Sequence, residues 1–146
     1  MNIQYYLIFC MKQFLFQRAW ISRQNLLLNS QSCKYILRIF GEKDDWCLVA
    51  EIKGKIVGAV WVRIMNDYGH IDNETPSFAI SLYEEYRNMG IGTALMRDML
   101  ELLKKKGYEQ TSLSVQKANY AVGMYRKVGF EVIDENEAEY IMVCRL

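Results

Sequence analysis

The stretch Arg87-Asn88-Met89-Gly90-Ile91-Gly92-Thr93 carries the chemistry most readily read from this chain. Its two glycines follow a short apolar strand and open a strongly amphipathic helix, so bare backbone can come up to a ligand. Successive N–H groups in the turn and at the helix start lack partners, the helix dipole adds partial positive charge, and Arg87 adds a whole one. Such a turn can cradle a diphosphate. Gly-x-Gly before a helix is also an ordinary way to turn tightly, and from the turn alone both readings stand. Neither G-x-x-x-x-G-K-[ST] nor G-x-G-x-x-G occurs, which disfavours a nucleotide-binding protein. His70 is the single histidine, so a Ser-His or Cys-His nucleophile system is hard to build. Cys10, Cys33, Cys47 and Cys144 form no C-x-x-C pair or Cys/His ligand spacing. They read as reduced, buried small hydrophobes, and no metal is expected.

The elements that must position this turn follow from periodicity. Residues 3–9, rich in β-branched and aromatic types, suggest a first strand, and Met11, Phe14, Leu15 and Ala19 recur at helical spacing. Cys33, Ile36, Leu37 and Phe40 fall at i, i+3, i+4 and i+7, which predicts a second short helix stopped by Gly41. Trp46-Cys47-Leu48-Val49-Ala50 and residues 56–65 flank Lys53-Gly54, a hairpin-type turn, and the second run is almost continuously apolar, as in a strand covered on both faces. Residues 66–75 make a polar loop with three acids, Asp67, Asp72 and Glu74, and no Lys or Arg. Phe78-Ala79-Ile80-Ser81-Leu82 alternates large and small residues, and Ser112-Leu113-Ser114-Val115 does the same. Between these strands Ile91, Leu95, Met99, Leu102 and Leu103 draw one helical stripe that Gly107 closes. Asn119 suits an N-cap, Gly129 ends the helix carrying Ala121, Tyr125 and Val128, and two strands return the chain to its end.

With 146 residues, half of them hydrophobic, the chain is about one domain long and needs no staples. Lys plus Arg at 18 against Asp plus Glu at 17 leaves a net charge of +1, so no global field favours nucleic acid or an anionic membrane. The apolar run at residues 5–11 is far shorter than the ~20 residues of a membrane span. It also lacks a basic start and a small-residue cleavage site, so a cytoplasmic protein is expected.

Three features in order and spacing resemble the GNAT superfamily of acetyl-CoA-dependent N-acetyltransferases. Glu85-Tyr86-Arg87-Asn88-Met89-Gly90-Ile91-Gly92-Thr93-Ala94-Leu95-Met96 is similar to that family's R/Q-x-x-G-x-G/A loop and following helix. Asn119-x-Ala121-x-x-x-Tyr125 and Gly129-Phe130 resemble its ending N-x-A-x-x-x-Y-x-x-x-G-F, and the likeness covers roughly residues 46–146. Tyr120 departs from it, standing where relatives often have proline, and Gly123 sits inside the helix where it costs ~1 kcal/mol against alanine.

The resemblance implies a single N-acetyltransferase domain over residues 1–146. Its fold is an α/β (α+β) one, a mixed, mostly antiparallel sheet of about seven strands, flanked by about four helices and splayed between the fourth and fifth strands. Acetyl-CoA is the implied cosubstrate, with no metal. Asn88, Met89, Gly90, Ile91, Gly92 and Thr93 would hold the pyrophosphate through backbone N–H groups, Arg87 would shape the loop, and the pantetheine arm would lie near Leu82 and Tyr83 with help from Asn119. The small faces of the two flanking strands independently suggest room for that arm. A backbone N–H near Leu82 would stabilise the oxyanion, and Tyr125 would protonate the thiolate, since a phenol of pKa ~10 can serve a thiolate of comparable basicity. Tyr125 could instead be core, and Asn119 only a cap. The base could be His70, Asp72, Glu74 or water. The acceptor is a small-molecule or peptide amine, and the acidic loop with Glu84-Glu85 favours a cationic one. No nucleic-acid or membrane partner is expected, and the chain could be a monomer or homodimer. The alternative function is a non-catalytic acyl-CoA-binding or regulatory module of the same fold.

Overall fold

The computed structural model describes residues 33–37, for backbone alone, and residues 43–146 except residue 65. Among the described residues one sheet holds seven strands: β1 (Cys33–Leu37), β2 (Trp46–Ile52), β3 (Lys55–Arg63), β4 (Ser77–Leu82), β5 (Gln110–Gln116), β6 (Glu131–Glu135) and β7 (Glu139–Arg145). Their spatial order is β1-β2-β3-β4-β5-β7-β6. Every neighbouring pair is antiparallel except β4 and β5. A parallel pair needs a crossover, here supplied by a 3-10 turn (Glu84–Tyr86) and helix α1 (Ile91–Lys105). Helix α2 (Ala121–Lys127) connects β5 to the closing hairpin of β6 and β7.

The α1 stripe forms as its period requires. Ile91, Leu95, Met99, Leu102 and Leu103 are all buried, against Leu48, Val60, Val62, Phe78, Leu113, Val115 and Met142 of the sheet. Each such side chain contributes about 1.5–3 kcal/mol of burial, far more than the helix gains from propensity. Cys47, Val49 and Ala59 are buried in a second, smaller cluster on the other face of β2 and β3, which accounts for the unbroken apolar run of β3. Between these strands Lys53 and Gly54 both take positive φ, 50° and 80°, the two-residue turn that matches strand twist. Burial pushes the Cys47 thiol up to about 12 and raises that of Cys144, so both stay protonated as small hydrophobes.

One expectation is overturned. Cys33–Leu37 is not helical: it is strand β1, at the end of the order of the described strands, paired antiparallel with β2 through Tyr35 opposite Val49 and Leu37 opposite Cys47. Five residues fit both periods, and the ladder offered by β2 outweighs the weak local preference. The strand expected at residues 3–9, the helix expected from Met11 to Ala19, and residues 38–41 lie outside the described residues. Among those described, no helix is long and apolar enough to cross a membrane.

Both helices end on left-handed glycines. Gly107 (φ 89°) follows α1, with the Tyr108 N–H bonded to the Leu103 carbonyl. Gly129 (φ 108°) follows α2, with the Phe130 N–H bonded to the Tyr125 carbonyl at 3.0 Å. This closure satisfies carbonyls that a helix end leaves unpaired.

Gly123 gives a direct check on α2. A Cβ there would meet nothing within 4 Å. Gly123→Ala is therefore expected to stabilise the protein by about 0.5–1 kcal/mol, read from the midpoint of denaturant unfolding. A lowered midpoint would contradict the open helical environment of this residue.

Candidate functional site

β4 and β5 touch at one ladder position, Ser77 opposite Ser112, and separate from there toward their C-terminal ends. Pro76 makes this seam: its carbonyl accepts the Ser112 N–H at 3.1 Å and the Thr111 hydroxyl at 2.7 Å. Beyond the seam a slot opens in the sheet, where the fourth and fifth strands were expected to splay. Backbone alternation decides what faces it. The Tyr83 N–H bonds the Val57 carbonyl at 3.0 Å, so in this antiparallel pair the N–H groups of Leu82 and Ile80 are directed away from β3, toward the slot.

Gly58 stands opposite Leu82, and a Cβ on it would come within 2.4 Å of Leu82 Cδ1 and 3.0 Å of the Ser81 carbonyl oxygen. Only glycine lets these strands approach with Leu82 in place. Sequence reading missed Gly58, and its one available signal was a glycine interrupting an apolar strand.

After β4 the chain turns through Glu84–Tyr86 into the glycine stretch. Asn88 (φ 59°) and Gly90 (φ 81°) both take left-handed conformations, and α1 starts at Ile91 with no side-chain cap and no acid in its first turn. The first intrahelical bond is Ala94 N–H to the Gly90 carbonyl. The N–H groups of Ile91, Gly92 and Thr93 therefore have no helical partner. Gly90 answers to φ, because a Cβ there meets nothing within 4 Å, while Gly92 lies against Met124 of α2 and Ile80 of β4. Arg87 Nε donates to the Leu82 carbonyl at 3.2 Å, tying the turn to the strand it leaves. Met89 is 64% exposed. Lys55 of the β2–β3 hairpin sits over the rings of Tyr83 and Tyr86.

Asn119 Oδ1 accepts the Ala121 N–H at 2.9 Å, so its oxygen is used in opening α2. Four residues past Ala121, Tyr125 is 9% exposed. Its ring meets that of Phe130 edge-on at 6.0 Å, and Phe130 in turn meets Phe78 of β4 at 5.6 Å. The Gly129-Phe130 closure of α2 thus holds the Tyr125 ring against the sheet. Burial pushes the Tyr125 phenol up to about 12, and Tyr120 acts in the same direction. The phenol is accordingly a weaker acid than the ~10 of the free side chain assumed from sequence.

The small faces of the two strands do not all leave room. The hydroxyl of Ser112 donates to the Gly69 carbonyl at 2.6 Å, and the backbone of Gly69 packs so closely on β5 that a Cβ would stand 3.1 Å from the Ser114 nitrogen. From the seam to Ser114 the small residues of β5 admit the loop of residues 66–75. Within that loop Asp67 Oδ1 accepts from the Gly69 N–H (3.0 Å) and the Ser77 hydroxyl (2.7 Å). Asp72 accepts from the Glu74 and Thr75 N–H groups and the Thr75 hydroxyl. Those bonds, from Glu74 first and then Thr75, hold its carboxyl below the ordinary carboxylate range, which makes it a poor proton acceptor. Glu74 is exposed. A groove of about 370 Å³ adjoins the loop, lined by Ile71, Gln110, Gly129, Glu131, Ile133, Val143 and Arg145. Among the described residues no group of His, Cys, Asp and Glu is arranged to hold a metal ion.

A family model described as "Acetyltransferase (GNAT) family" matches residues 13–130. Human N-acetyltransferase 8B is 26% identical over 119 residues, covering 81% of this chain and 52% of that protein. An N-alpha-acetyltransferase of Sulfurisphaera tokodaii is 29% identical over 114 residues, 67% of this chain and 68% of that one. The chain thus spans about half of the human relative and about two thirds of the archaeal one. Among solved structures, the PaiA N-acetyltransferase of Thermoplasma acidophilum, in complex with coenzyme A, superposes with a TM-score of 0.61 at 25% identity, covering 70% of this chain and 62% of that one.

Burial of Tyr125 predicts a titration. At pH 10.5 tyrosinate absorbance of the folded protein should be the same in wild type and Tyr125→Phe, because this phenol is still protonated there. A drop in the variant equal to one ionised tyrosine would show that the ring is solvated.

Proposed function

This chain belongs to the acetyltransferase (GNAT) family, and from that premise we propose that residues 1–146 form one N-acetyltransferase domain that moves the acetyl group of acetyl-CoA to a primary amine. The observation that carries the reading is the uncapped, acid-free start of α1, reached through the Glu84–Tyr86 turn from the strand whose Ile80 and Leu82 N–H groups face the slot. An anion-binding helix start and a strand-like groove in continuity suit a cosubstrate with a diphosphate at one end and an amide-bearing arm at the other.

In this reading the N–H groups of residues 88–93 receive the pyrophosphate. Arg87, bonded to the Leu82 carbonyl, sets the shape of the turn rather than binding phosphate. The arm runs along the slot side of β4 at Leu82. Tyr83, whose N–H is already bonded, contributes through its remaining groups. Asn119 contributes through its amide nitrogen, since its oxygen caps α2.

The amine attacks the thioester carbonyl, and the developing oxyanion is met by a slot-facing N–H of β4, with Leu82 the first choice. Collapse of the adduct breaks the C–S bond and the sulfur leaves with the electron pair. A phenol at about 12 facing a thiol of ~8.5 cannot give up its proton outright. Tyr125 therefore acts as a hydrogen-bond donor to the sulfur that passes on a proton as it receives one from the adduct nitrogen. For the acceptor, the acids of the loop at residues 66–75 and Glu84-Glu85 favour a cationic amine.

Calorimetric titration with acetyl-CoA should show one site, and a panel of amines should release thiol. Binding without turnover on any amine would leave only the non-catalytic module. Tyr125→Phe is expected to lower kcat ~100-fold while acetyl-CoA affinity changes less than about twofold; equal turnover would remove Tyr125 from the chemistry. Acetylation of cationic amines should exceed that of neutral amines of like size and fall with added salt. A rate indifferent to both charge and salt removes the electrostatic preference.

A further inference from the structure

The β2–β3 hairpin delivers a cation to the turn that joins the slot to the glycine stretch. Lys53 and Gly54 close the hairpin with positive φ, so Lys55 enters β3 directly opposite Ile52. Ile52 packs against the core that α1 covers, and Val57, two residues on, is buried in it, which puts Lys55 on the α1 face of the sheet. Gly58 lets β3 come close to Leu82, and the Tyr83 N–H bonds the Val57 carbonyl. The start of β3 therefore runs beside the chain as it leaves β4.

There Lys55 Nζ stands 5.5 Å from the centre of the Tyr83 ring, 5.6 Å from that of Tyr86 and 3.9 Å from Glu85 Oε1. One ammonium thus meets Tyr83, Glu85 and Tyr86 together. Arg87 holds the end of the same turn, with its N–H on the Glu84 carbonyl and its Nε on the Leu82 carbonyl. The turn is tied to β4 by Arg87 and to β3 by Lys55. Directly after it the backbone goes left-handed at Asn88 and Gly90, so the aim of the N–H groups that follow depends on how residues 83–87 lie. Glu84 and Glu85 also bring negative charge close to a place read as an anion site, and Lys55 stands against one of them.

We propose that Lys55 is a positioning residue for cosubstrate binding: its ammonium, held among Tyr83, Glu85 and Tyr86, sets the turn that aims the N–H groups of residues 88–93, and does so without touching the cosubstrate. The inference rests on the acetyl-transfer reading above, and it adds the β2–β3 hairpin to the parts that hold the diphosphate. Exposed cation–π contacts and surface ion pairs are individually small, so the effect is a graded one on affinity.

The test titrates the whole chain with acetyl-CoA and with S-acetyl dephospho-CoA, which keeps the diphosphate and lacks the 3′-phosphate. Lys55→Gln should weaken binding of both ~5-fold and leave kcat at saturating cosubstrate within about twofold of wild type. Lys55→Arg keeps the charge and the ring contacts and should bind both within about twofold of wild type. Tyr86→Leu should cost affinity too, and in the double variant the two losses should overlap rather than multiply. The Lys55 side chain is 60% exposed, so the midpoint of denaturant unfolding of Lys55→Gln should match that of wild type.

Loss confined to acetyl-CoA would show that Lys55 meets the 3′-phosphate directly, and losses that multiply would show that it acts apart from the ring. Either result overturns the positioning role. So does a fall in kcat or in the unfolding midpoint, a failure of arginine to restore binding, or no loss at all, and each leaves acetyl transfer standing. A wild-type chain that binds neither cosubstrate overturns both readings.

Discussion

A single contact between two parallel strands governs the arrangement around the candidate site. β4 and β5 are neighbours only at Ser77 and Ser112, and the Pro76 carbonyl, with two donors on it, pins them there. Had the ladder continued, the N–H groups of Ile80 and Leu82 would be consumed by β5, and the sheet would be closed. Because it stops, a row of backbone donors is left in a half-buried place with no ladder partner among the described residues. The loop of residues 66–75 reinforces the pin, since Asp67 holds Ser77 on one side and Gly69 holds Ser112 on the other.

The helices meet this seam from one face of the sheet, and their junction is made of small and aromatic residues. Gly92 admits Met124 and Ile80, which brings the first turn of α1 against α2. Phe130 stands between Phe78 of β4 and Tyr125 of α2. The spacing Asn119, Ala121, Tyr125, Gly129, Phe130 therefore has a mechanical meaning. It contains a cap, a buried small residue, the ring to be held, the left-handed stop and the ring that holds it.

Legibility in the sequence followed the range of the interactions. The α1 stripe and its Gly107 stop were plain, because helical burial repeats locally and strongly. β3 was plain for a related reason, its continuous apolar run matching cover on two faces. β1 was misread because Cys-Lys-Tyr-Ile-Leu satisfies either period and only β2 decides between them. Gly58 showed only as a glycine interrupting an apolar strand and Gly69 not at all, since their need for glycine comes from Leu82 and Ser114 across the fold. The acidity of Tyr125 could not be read from residue type, which fixes only the free value; burial sets the rest. Likewise, the three acids of the loop, all exposed, looked alike until hydrogen bonds separated two structural acceptors, Asp67 and Asp72, from Glu74.

The last strand of the sheet order, β6, has consequences for how copies of this chain meet. It is exposed along its length, is bulged between Val132 and Asp134, and carries Glu131, Asp134 and Glu135 within five residues. Two such edges brought together in solution would align carboxylates with carboxylates across every few ångströms of ladder, and the bulge would interrupt the register they need. Sheet-to-sheet growth from this side is thus self-limiting. The acids of the terminal hairpin thus have a physical effect beyond solubility: like charges along an exposed strand disfavour a second strand beside it.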